Sequence, residues 1–427
     1  MILLEVSLFM ASTKRQPRPQ RRAAPQHYPV PRYPGELAPR GERLPAQAPM
    51  PPAAPRSHAR PRVRAHAWDA GVFFSVVLLL CIGLIALFSA SYTNAMFYHG
   101  SATHFITRQG MWAGIGLIAM IVISKIPYKV YARFQQPIMW VSLILLVLVI
   151  TPLGTASKGA QRWLFGFQPS ELAKIAVIIC FASWVARDPK SVRSIRTMIR
   201  PYGLLLVAYI GLLAMEPHTS AMMIICGIGV IILIAGGMRL WYFGPIIVLG
   251  AATLTGFYFA FEHVQERFAV WLNPFANLRE EGWQGAMSQI AIGSGGLFGL
   301  GLGQGRQKHL YLPEPQNDFI FSSWCEEMGL IGALIVIALF AYLIYRGFRV
   351  ARAAPDKFSC LLATGITAKL AVQTLMNLFV VTGIIPVTGA SLPFFSYGGT
   401  ALLMQLGEMG ILLNISRYMR VDMRQAE

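Results

Sequence analysis

GVFFSVVLLLCIGLIALFSA, residues 71–90, is a run of twenty residues without a charged side chain. A helix needs about 20 mainly apolar residues to cross the hydrocarbon core of a bilayer. Similar apolar runs recur along the chain at 110–123, 137–150, 172–186, 201–215, 219–237, 240–261, 329–345, 359–385 and 401–415. We therefore predict an all-α polytopic membrane protein with about ten transmembrane helices.

The composition supports a membrane protein over a large soluble helical protein. Hydrophobic residues make up 55% of the chain, charged residues make up 13%, and the mean hydropathy is +0.51. Soluble domains carry about 25% charged residues. The net charge of +18 does not indicate nucleic-acid binding, because the basic residues lie in the N-terminal segment and in short loops between apolar runs. Membrane orientation and anionic headgroups explain that placement.

The N-terminal segment differs from the rest of the chain, since it is rich in proline and arginine and poor in apolar residues. A segment of this composition cannot bury enough apolar surface to offset the entropy of ordering its chain. We expect residues 1–67 to be a disordered basic cytoplasmic tail. We expect residues 68–418 to be the transmembrane domain, with a large outer loop at 263–318 between spans seven and eight, and residues 419–427 to be a short cytoplasmic tail.

The basic loops orient the spans. Segments 125–133, 187–200 and 345–357 are basic, and with ten spans they fall on the same face as both termini. Loops rich in Lys and Arg lie in the cytoplasm. The opposite, outer face then receives 154–171 and 386–399 with the large loop. Lys158 and Arg162 lie on that face against the rule, which suggests a function for them, although two tolerated loop charges remain an alternative.

The motif QPSELAK, residues 168–174, is typical of a helix start because proline and an acidic residue are favoured in the first turn. Glu171 and Lys174 are three residues apart and therefore share a helix face. They are candidate functional residues. The alternative is an ion pair within the membrane that only neutralises itself.

The stretch LPEPQNDFIFSSWCEEMG, residues 312–329, places Asp318 at the outer mouth of the next predicted helix and Glu326 and Glu327 deeper in it. Ionisable groups at membrane depth are costly and mark function by default. The Asp318 carboxylate can accept a proton or bind a hard cation, although a plain helix N-cap is the alternative. We interpret Glu326 and Glu327 as structural, paired with a basic or polar group from another span.

Two further outer segments are candidates for the site. GSGGLFGLGLGQG, residues 293–305, would let the backbone approach a ligand closely, or it is a flexible linker. SLPFFSYGG, residues 391–399, places Ser396 and Tyr397 at the start of the last span. Taken together, the cations, the carboxylate and the glycine-rich segment on the outer face suit a substrate with a lipid tail in the bilayer and a phosphate-bearing head outside.

Over about residues 70–420 the chain resembles the SEDS family, the shape, elongation, division and sporulation proteins that include FtsW and RodA. The motifs that carry the resemblance are KGAQRW (158–163), QPSELAK (168–174), RFAVWLNP (267–274), SQIAIGSGGLFGLGLGQG (288–305), YLPEPQNDFIF (311–321), EEMG (326–329) and TGIIPVTGASLPFFSYGG (382–399).

The resemblance implies a peptidoglycan glycosyltransferase that polymerises lipid II into glycan strands on the outer face of the bacterial cytoplasmic membrane. In the family the aspartate of the DFIF motif is catalytic, which implies that role for Asp318, and the Glu and Lys of QPSELAK are functionally sensitive, which implicates Glu171 and Lys174. Within the shared motifs we expect substrate-binding residues at Lys158, Arg162, Gln168, Arg267, Gln289, Ser396 and Tyr397.

The resemblance also implies a divalent cation, Mg²⁺ or Mn²⁺, with Asp318 as its candidate ligand. The partners implied are lipid II, a class B penicillin-binding protein that supplies crosslinking, and other proteins of the division machinery. SYGGTALLMQLGEMG and EPHTS are more similar to the division branch of the family than to the elongation branch. This similarity favours a role at the division septum.

The chain departs from the family pattern at two places. Many members carry HTDFIF, whereas this chain has Gln316 and Asn317 before Asp318. Many members carry QPDLGT after the fifth span, whereas this chain has EPHTSA with Glu216 and His218. Two other functions remain as alternatives, a transporter that flips lipid II across the membrane and a non-catalytic scaffold for the penicillin-binding partner.

Overall fold

The computed structural model describes residues 67–157, 160–242, 244, 255–256, 259, 262–276 and 281–419. Most of the predicted N-terminal tail, the C-terminal residues 420–427, most of the apolar run 240–261 and Lys158 lie outside the described residues. The helices of the described part are α1 (Ala70–His99), α2 (His104–Ile123), α3 (Lys129–Arg133), α4 (Gln135–Ile150), α5 (Pro169–Arg187), α6 (Ile195–Met215), α7 (Thr219–Gly236), α8 (Glu262–Leu272), α9 (Glu281–Ser294), α10 (Ile320–Arg352), α11 (Lys357–Val381) and α12 (Gly399–Ser416).

The predicted polytopic all-α membrane protein is confirmed. Seven of the described helices, α1, α2, α5, α6, α7, α10 and α11, are long and apolar enough to cross a membrane. The apolar helix α4 is shorter, at 16 residues, and α12 has 18 residues. The number of ten spans stays a prediction, because the run expected to form the seventh span lies largely outside the described residues.

Helix α11 lies at the centre of the bundle, where it packs against α5, α7 and α10. Helix α12 packs mainly against α2, and α1 packs against α2 and α10. A helix in this central position must present apolar or paired polar groups on all sides, and most residues of α11 are accordingly buried.

Hydrogen bonds bring two of the basic segments together at one end of the bundle. Asp69, the N-cap of α1, accepts from the guanidinium of Arg346 near the end of α10. The Tyr128 hydroxyl donates to Asp356 at the start of α11, and the Tyr128 N–H donates to Asn414 near the end of α12. Segments 125–133 and 345–357 therefore lie together, and we refer to this as the basic end.

The opposite end carries a feature that the all-α prediction missed, a β-hairpin within the predicted loop 154–171. Strands β1 (Thr155–Ser157) and β2 (Ala160–Trp163) pair antiparallel. Beyond β2, Leu164 and Phe167 exchange two backbone hydrogen bonds of 2.8 and 2.9 Å. Phe165 and Gly166 between them have φ values of 50° and 78°. Positive φ at both central residues is the geometry of the two-residue hairpin turn.

Helix α10 is broken at Gly329, where φ is 63° and ψ is −166°. This region of backbone space is open essentially to glycine alone. The break frees backbone groups, and the glycine-rich segment satisfies them. Leu300 N–H donates to Glu326 O at 3.0 Å, Gly301 N–H donates to Glu327 O at 2.9 Å, and Leu330 N–H donates to Gly296 O at 2.9 Å.

This docking corrects the prediction for residues 293–305. A Cβ atom at Gly295 would collide with the carbonyl of Cys325, and one at Gly299 would collide with the carbonyl of Glu327. The glycines are therefore needed for close approach, as predicted, but the partner is the backbone of α10 rather than a ligand. The segment is neither a flexible linker nor a lining of the main cavity described below.

Candidate active site

A cavity of about 1100 Å³ opens at the end of the bundle opposite the basic end. Its walls come from the end of α1, strand β2, the starts of α5, α7 and α12, and the segments before α10 and α12. Six of the residues predicted from the sequence line it: Arg162, Gln168, Glu171, Lys174, Asp318 and Tyr397. The structure thus brings together motifs that lie more than two hundred residues apart in the chain.

Asp318 lies in a turn before α10, which begins at Ile320. Asp318 is therefore not the helix N-cap that was its alternative role, since Phe319 occupies that position. The Asp318 side chain is half-buried on the cavity wall. A Cβ at Gly389 would lie 3.4 Å from Asp318 Oδ2, so the loop before α12 passes close to the carboxylate.

The backbone around Asp318 is held from two sides. Asn377 in α11 donates through its side-chain nitrogen to the carbonyls of Asp318 and Ala390, both at 2.7 Å. The Ser396 hydroxyl donates to Asn317 O at 2.7 Å, and Tyr397 N–H donates to Gln316 O at 2.9 Å. The motif SLPFFSYGG therefore positions the turn that carries the carboxylate.

Four of the predicted substrate-binding residues do not line this cavity with a described side chain. Ser396 uses its hydroxyl on the backbone of Asn317, which makes it a positioning residue. Gln289 lines a neighbouring cavity of about 590 Å³, which shares Gln284 and Pro313 with the main one. Arg267 lies in α8, but its side chain is not among those described, and Lys158 lies outside the described residues.

Glu171 and Lys174 share a face of α5, as predicted, and form an ion pair at 2.6 Å that is part of a larger network. Lys369 in α11 lies 3.4 Å from Glu171 and 2.5 Å from Glu408 in α12. All four side chains are at most 4% exposed. The network therefore joins three helices at the cavity floor, with two positive and two negative groups that balance each other.

Sequence reasoning missed Lys369 and Glu408. Both stand alone within apolar runs, and a charged residue in a membrane helix is itself a signal of a paired or functional group. Their pairing was not visible because the two residues are 39 positions apart on different helices. Spacing along a single helix, which identified Glu171 with Lys174, carries no information about partners on another helix.

Arg162 is held on the cavity wall by the turn before α7. Its guanidinium donates to the carbonyl oxygens of Glu216, at 3.3 Å, and Pro217. Burial lowers the pKa of Arg162, and the nearby carboxylates of Asp318 and Glu216 partly oppose that effect. The guanidinium keeps its charge, because the ordinary pKa of arginine is above 12, and it faces the same cavity as Asp318.

Glu216 and His218, which depart from the family pattern after the fifth span, are buried beside Arg162. Both carboxylate oxygens of Glu216 and Nδ1 of His218 lack a hydrogen-bond partner in the described structure. Burial raises the pKa of Glu216 to about 7, against the effect of Arg162. Burial lowers the pKa of His218 to about 3, with the charges of Arg162 and Lys174 acting in the same direction. His218 lines the cavity as a neutral imidazole at pH 7.

Glu326 and Glu327 are buried and paired, but only Ser89 in α1 is the predicted kind of partner from another span, and the other partners lie in the segment before α10. Glu327 accepts from Lys308 Nζ at 2.6 Å and from Ser89 Oγ at 2.7 Å. Glu326 Oε1 accepts from the backbone N–H of Arg306 at 2.8 Å. The two carboxylates therefore hold residues 306–308, which follow the glycine-rich segment, against α10. These contacts lie away from the turn that carries Asp318. The cost of burying them is offset by these charge-assisted hydrogen bonds.

The oxygen atoms beside Asp318 suit a hard cation in part. No group of three or more His, Cys, Asp or Glu residues that could hold a metal occurs among the described residues. Glu314 and Asn317 line the cavity with Asp318, and the side-chain oxygen of Asn317 is buried without a partner. Mg²⁺ is commonly held by one or two carboxylates together with substrate phosphates and water. The residues present fit that mode and do not form a complete protein cage.

Several known proteins are similar to this chain in sequence and in fold. A sequence-family model described as "Cell cycle protein", for FtsW, RodA and SpoVE, matches residues 70–421. "Stage V sporulation protein E" of Bacillus subtilis is 38% identical over 350 residues, which cover 81% of this chain and 95% of that protein. "Probable peptidoglycan glycosyltransferase FtsW" of Geobacter metallireducens is 38% identical over 361 residues, which cover 83% of this chain and 96% of that protein.

Two solved structures are similar as well. One, described as "Structural coordination of polymerization and crosslinking by a peptidoglycan synthase complex", matches with a TM-score of 0.71 at 25% identity, covering 82% of this chain and 98% of that chain. The rod shape determining protein RodA of Thermus thermophilus matches with a TM-score of 0.60 at 25% identity, covering 83% of this chain and 99% of that chain. The chain thus belongs to the FtsW/RodA/SpoVE family of cell cycle proteins.

Proposed function

We propose that this chain is a peptidoglycan glycosyltransferase that polymerises lipid II in the 1100 Å³ cavity. The proposal rests on one observation: the Asp318 carboxylate and the cations of Arg162 and Lys174 line the same cavity. The names of the FtsW relatives support the glycosyltransferase activity. The cavity is lined by cations and carboxylates and lies within a bundle of membrane-length helices, which suits a substrate with a lipid tail and a phosphate-bearing head.

The chemistry joins the 4-hydroxyl of one sugar to the anomeric carbon of another that is linked to a lipid diphosphate. The new C–O bond forms as the bond from the anomeric carbon to the diphosphate oxygen breaks. Asp318 accepts the proton of the attacking hydroxyl. Arg162 and Lys174 stabilise the negative charge that develops on the leaving diphosphate. Glu171, with Lys369 behind it, holds the Lys174 ammonium at the cavity floor.

A divalent cation is part of the proposal. Asp318, Glu314 and the side-chain oxygen of Asn317 would hold it together with the substrate's phosphates. When bound, Mg²⁺ or Mn²⁺ would supply further charge neutralisation at the diphosphate.

We also propose that the cavity faces the outside of the bacterial cytoplasmic membrane, because the basic end is expected in the cytoplasm. A class B penicillin-binding protein is the proposed partner. The structure described as a peptidoglycan synthase complex that coordinates polymerization and crosslinking supports this pairing. The similarity to FtsW relatives favours action at the division septum with other division proteins.

The test is polymerisation of purified lipid II by the full chain with its penicillin-binding partner, in the presence and absence of Mg²⁺ or Mn²⁺. Any transglycosylase activity of the partner is removed beforehand. We expect glycan strands from wild type and a loss of about 100-fold or more from Asp318→Asn, which keeps the shape of the side chain but cannot accept the proton.

The matched control is Asp69→Asn at the basic end, since asparagine also caps helices and the change removes a partly exposed ion pair. This variant should polymerise like wild type. Equal polymerisation by Asp318→Asn and wild type would contradict the assignment. Transport of labelled lipid II across liposomes without polymerisation would favour a flippase, and neither activity in a folded complex would favour a scaffold.

A further inference from the structure

A third cavity, of about 640 Å³, lies at the basic end where α5 ends and α6 begins. Arg187 lies at the end of α5, and Arg196 and Arg200 lie on the first turns of α6. The rings of Trp184 and Tyr202 complete the wall. It is separate from the proposed active site, which opens at the other end of the bundle, and the proposed reaction makes no use of it.

The arginines of this cavity have no carboxylate partner among the described residues. The guanidinium of Arg187 contacts the amide oxygen of Gln135, at 2.9 and 3.0 Å, in the amide orientation that satisfies both groups. Arg196 and Arg200 make no side-chain hydrogen bond or ion pair with a described residue. Asp188 also lines the cavity, but its Oδ1 accepts from Lys190 N–H at 3.0 Å. Three arginines and one aspartate line the cavity, so its lining carries a net positive charge.

Internal hydrogen bonds order the loop between the two helices. Thr197 Oγ1 donates to Ser191 O at 2.7 Å, and Ser191 Oγ donates to Asp188 O at 2.6 Å. The Ser191 hydroxyl also lies 2.8 Å from the hydroxyl of Tyr202, which is buried. The loop thus fixes the end of α5 and the start of α6, the two helix ends that carry the arginines of the cavity.

Two more features of the wall indicate a binding site. The rings of Trp184 and Tyr202 pack against each other with centroids 5.7 Å apart, and tryptophan and tyrosine are enriched at the headgroup level of membranes. Helix α6 contains a π-helical turn, Ile199–Gly203, at this wall. Such turns are frequent at functional sites.

We propose that this cavity binds a phosphate group. Guanidinium groups bind phosphate through paired, charge-assisted hydrogen bonds. Three arginines around one cavity at the membrane interface match an anionic phospholipid headgroup in the cytoplasmic leaflet, where basic residues are attracted by anionic lipid. A soluble phosphate ester of the cytoplasm offers the same chemistry, and the experiment distinguishes the two sources.

The experiment is native mass spectrometry of the full chain in detergent, titrated with phosphatidylglycerol and, separately, with zwitterionic phosphatidylcholine. We expect wild type to retain phosphatidylglycerol more tightly. The variant Arg196→Gln/Arg200→Gln should bind it about tenfold or more weakly, because two charge-assisted partners are lost. The variant Arg196→Lys/Arg200→Lys should fall between the two, since lysine keeps the charge but not the fork geometry.

The matched control is Arg133→Gln/Arg349→Gln, which removes the same charge from two exposed arginines at the basic end that do not line the cavity. It should bind phosphatidylglycerol within about twofold of wild type. An equal loss in this control, or no loss in Arg196→Gln/Arg200→Gln, would overturn the proposal, because binding would then be diffuse attraction or lie elsewhere. Competition by glycerol phosphate would support the site and identify a soluble ligand, and its failure to compete would support the site and identify a lipid.

Discussion

At the scale of single residues, the charges of this chain fall into groups with different functions. Asp318 is half-buried at the wall of the main cavity, and its backbone is held by Asn377. Glu327 is buried and engaged by Lys308 and Ser89. The two carboxylates are nine residues apart in the sequence, yet their surroundings assign one to chemistry and the other to structure.

The network of Lys174, Glu171, Lys369 and Glu408 leads to a prediction about stability. Lys369→Met leaves Glu408 buried without its partner, and breaking a buried pair costs about 3–5 kcal/mol. The double variant Lys369→Met/Glu408→Met removes both charges at similar volume and should recover most of that loss. Thermal unfolding in detergent measures both variants. A double variant less stable than the single one would show that the network does not behave as paired charges.

Glu216 leads to a prediction about pH. Its pKa is raised by burial from 4.5 to about 7 in the folded protein. Between these values the unfolded state has lost the proton and the folded state retains it, so the contribution of Glu216 to stability falls as pH rises through this window and is absent above it. We expect Glu216→Gln to gain stability relative to wild type from pH 4.5 to about 7.

The measurement is the thermal unfolding midpoint of both proteins across that range. His218 supplies a control of opposite sign, because its pKa is lowered from 6.5 to about 3. Its contribution is present above pH 6.5 and is lost as pH falls towards 3. His218→Asn should therefore gain stability relative to wild type as the pH falls from 6.5 towards 3. If the difference in unfolding midpoint between wild type and Glu216→Gln did not change with pH, this result would contradict the assignment of a buried, protonated carboxyl.

At the scale of elements, the broken helix α10 organises the site. The break at Gly329 accepts the glycine-rich segment, and the carboxylates of Glu326 and Glu327 fix the chain that leads from that segment towards Asp318. Both attachments lie before Asp318 in the chain, so the segment that carries Asp318 runs from the second attachment directly into the start of the same helix. We infer that disrupting the break would displace the carboxylate even though the break lies outside the cavity.

The corresponding prediction compares two glycines with positive φ. Gly329→Ala should cost about 2 kcal/mol or more, because its backbone conformation is strained for alanine and its Cβ would collide with the backbone of Gly299 and Leu297. Gly303→Ala, with φ of 82° and open space around the Cβ, is the control and should cost about 1 kcal/mol. Thermal unfolding and lipid II polymerisation measure the two. Equal stability of both variants would argue against the docked break.

At the scale of the whole molecule, the main property is that the two ends of the bundle differ in charge and in proposed function. The basic segments join at one end, and the hairpin, the Asp318 turn and the main cavity lie at the other. The proposed side of the membrane can be tested directly through this difference. Phe165 at the tip of the hairpin turn is 84% exposed, and Lys125 at the basic end is exposed as well.

We expect a membrane-impermeant maleimide to label Phe165→Cys in intact spheroplasts and Lys125→Cys only after the membrane is opened. The background is a chain whose five cysteines are replaced by alanine. Labelling of Lys125→Cys and not Phe165→Cys in intact cells would reverse the orientation and, with it, the proposed face of the active site.

Features that depend on local composition and local spacing could be predicted from the amino-acid sequence. Apolar runs of membrane length predict spanning helices because each helix satisfies its own backbone in the bilayer. The pair of Glu171 and Lys174 follows from spacing on one helix, and the motif around Asp318 identified both the residue and the family. These inferences were confirmed for the helical membrane fold and the family.

Contacts between groups that are distant in the chain became visible in the folded structure. Lys369 forms an ion pair with Glu408, and Lys308 forms one with Glu327. The Ser396 hydroxyl donates to the backbone carbonyl of Asn317. The folded structure also showed that the glycine-rich segment approaches α10 rather than a ligand. The physical reason is that a buried polar group must be paired, but the sequence states only the need for a partner. Which partner satisfies it depends on how the helices pack.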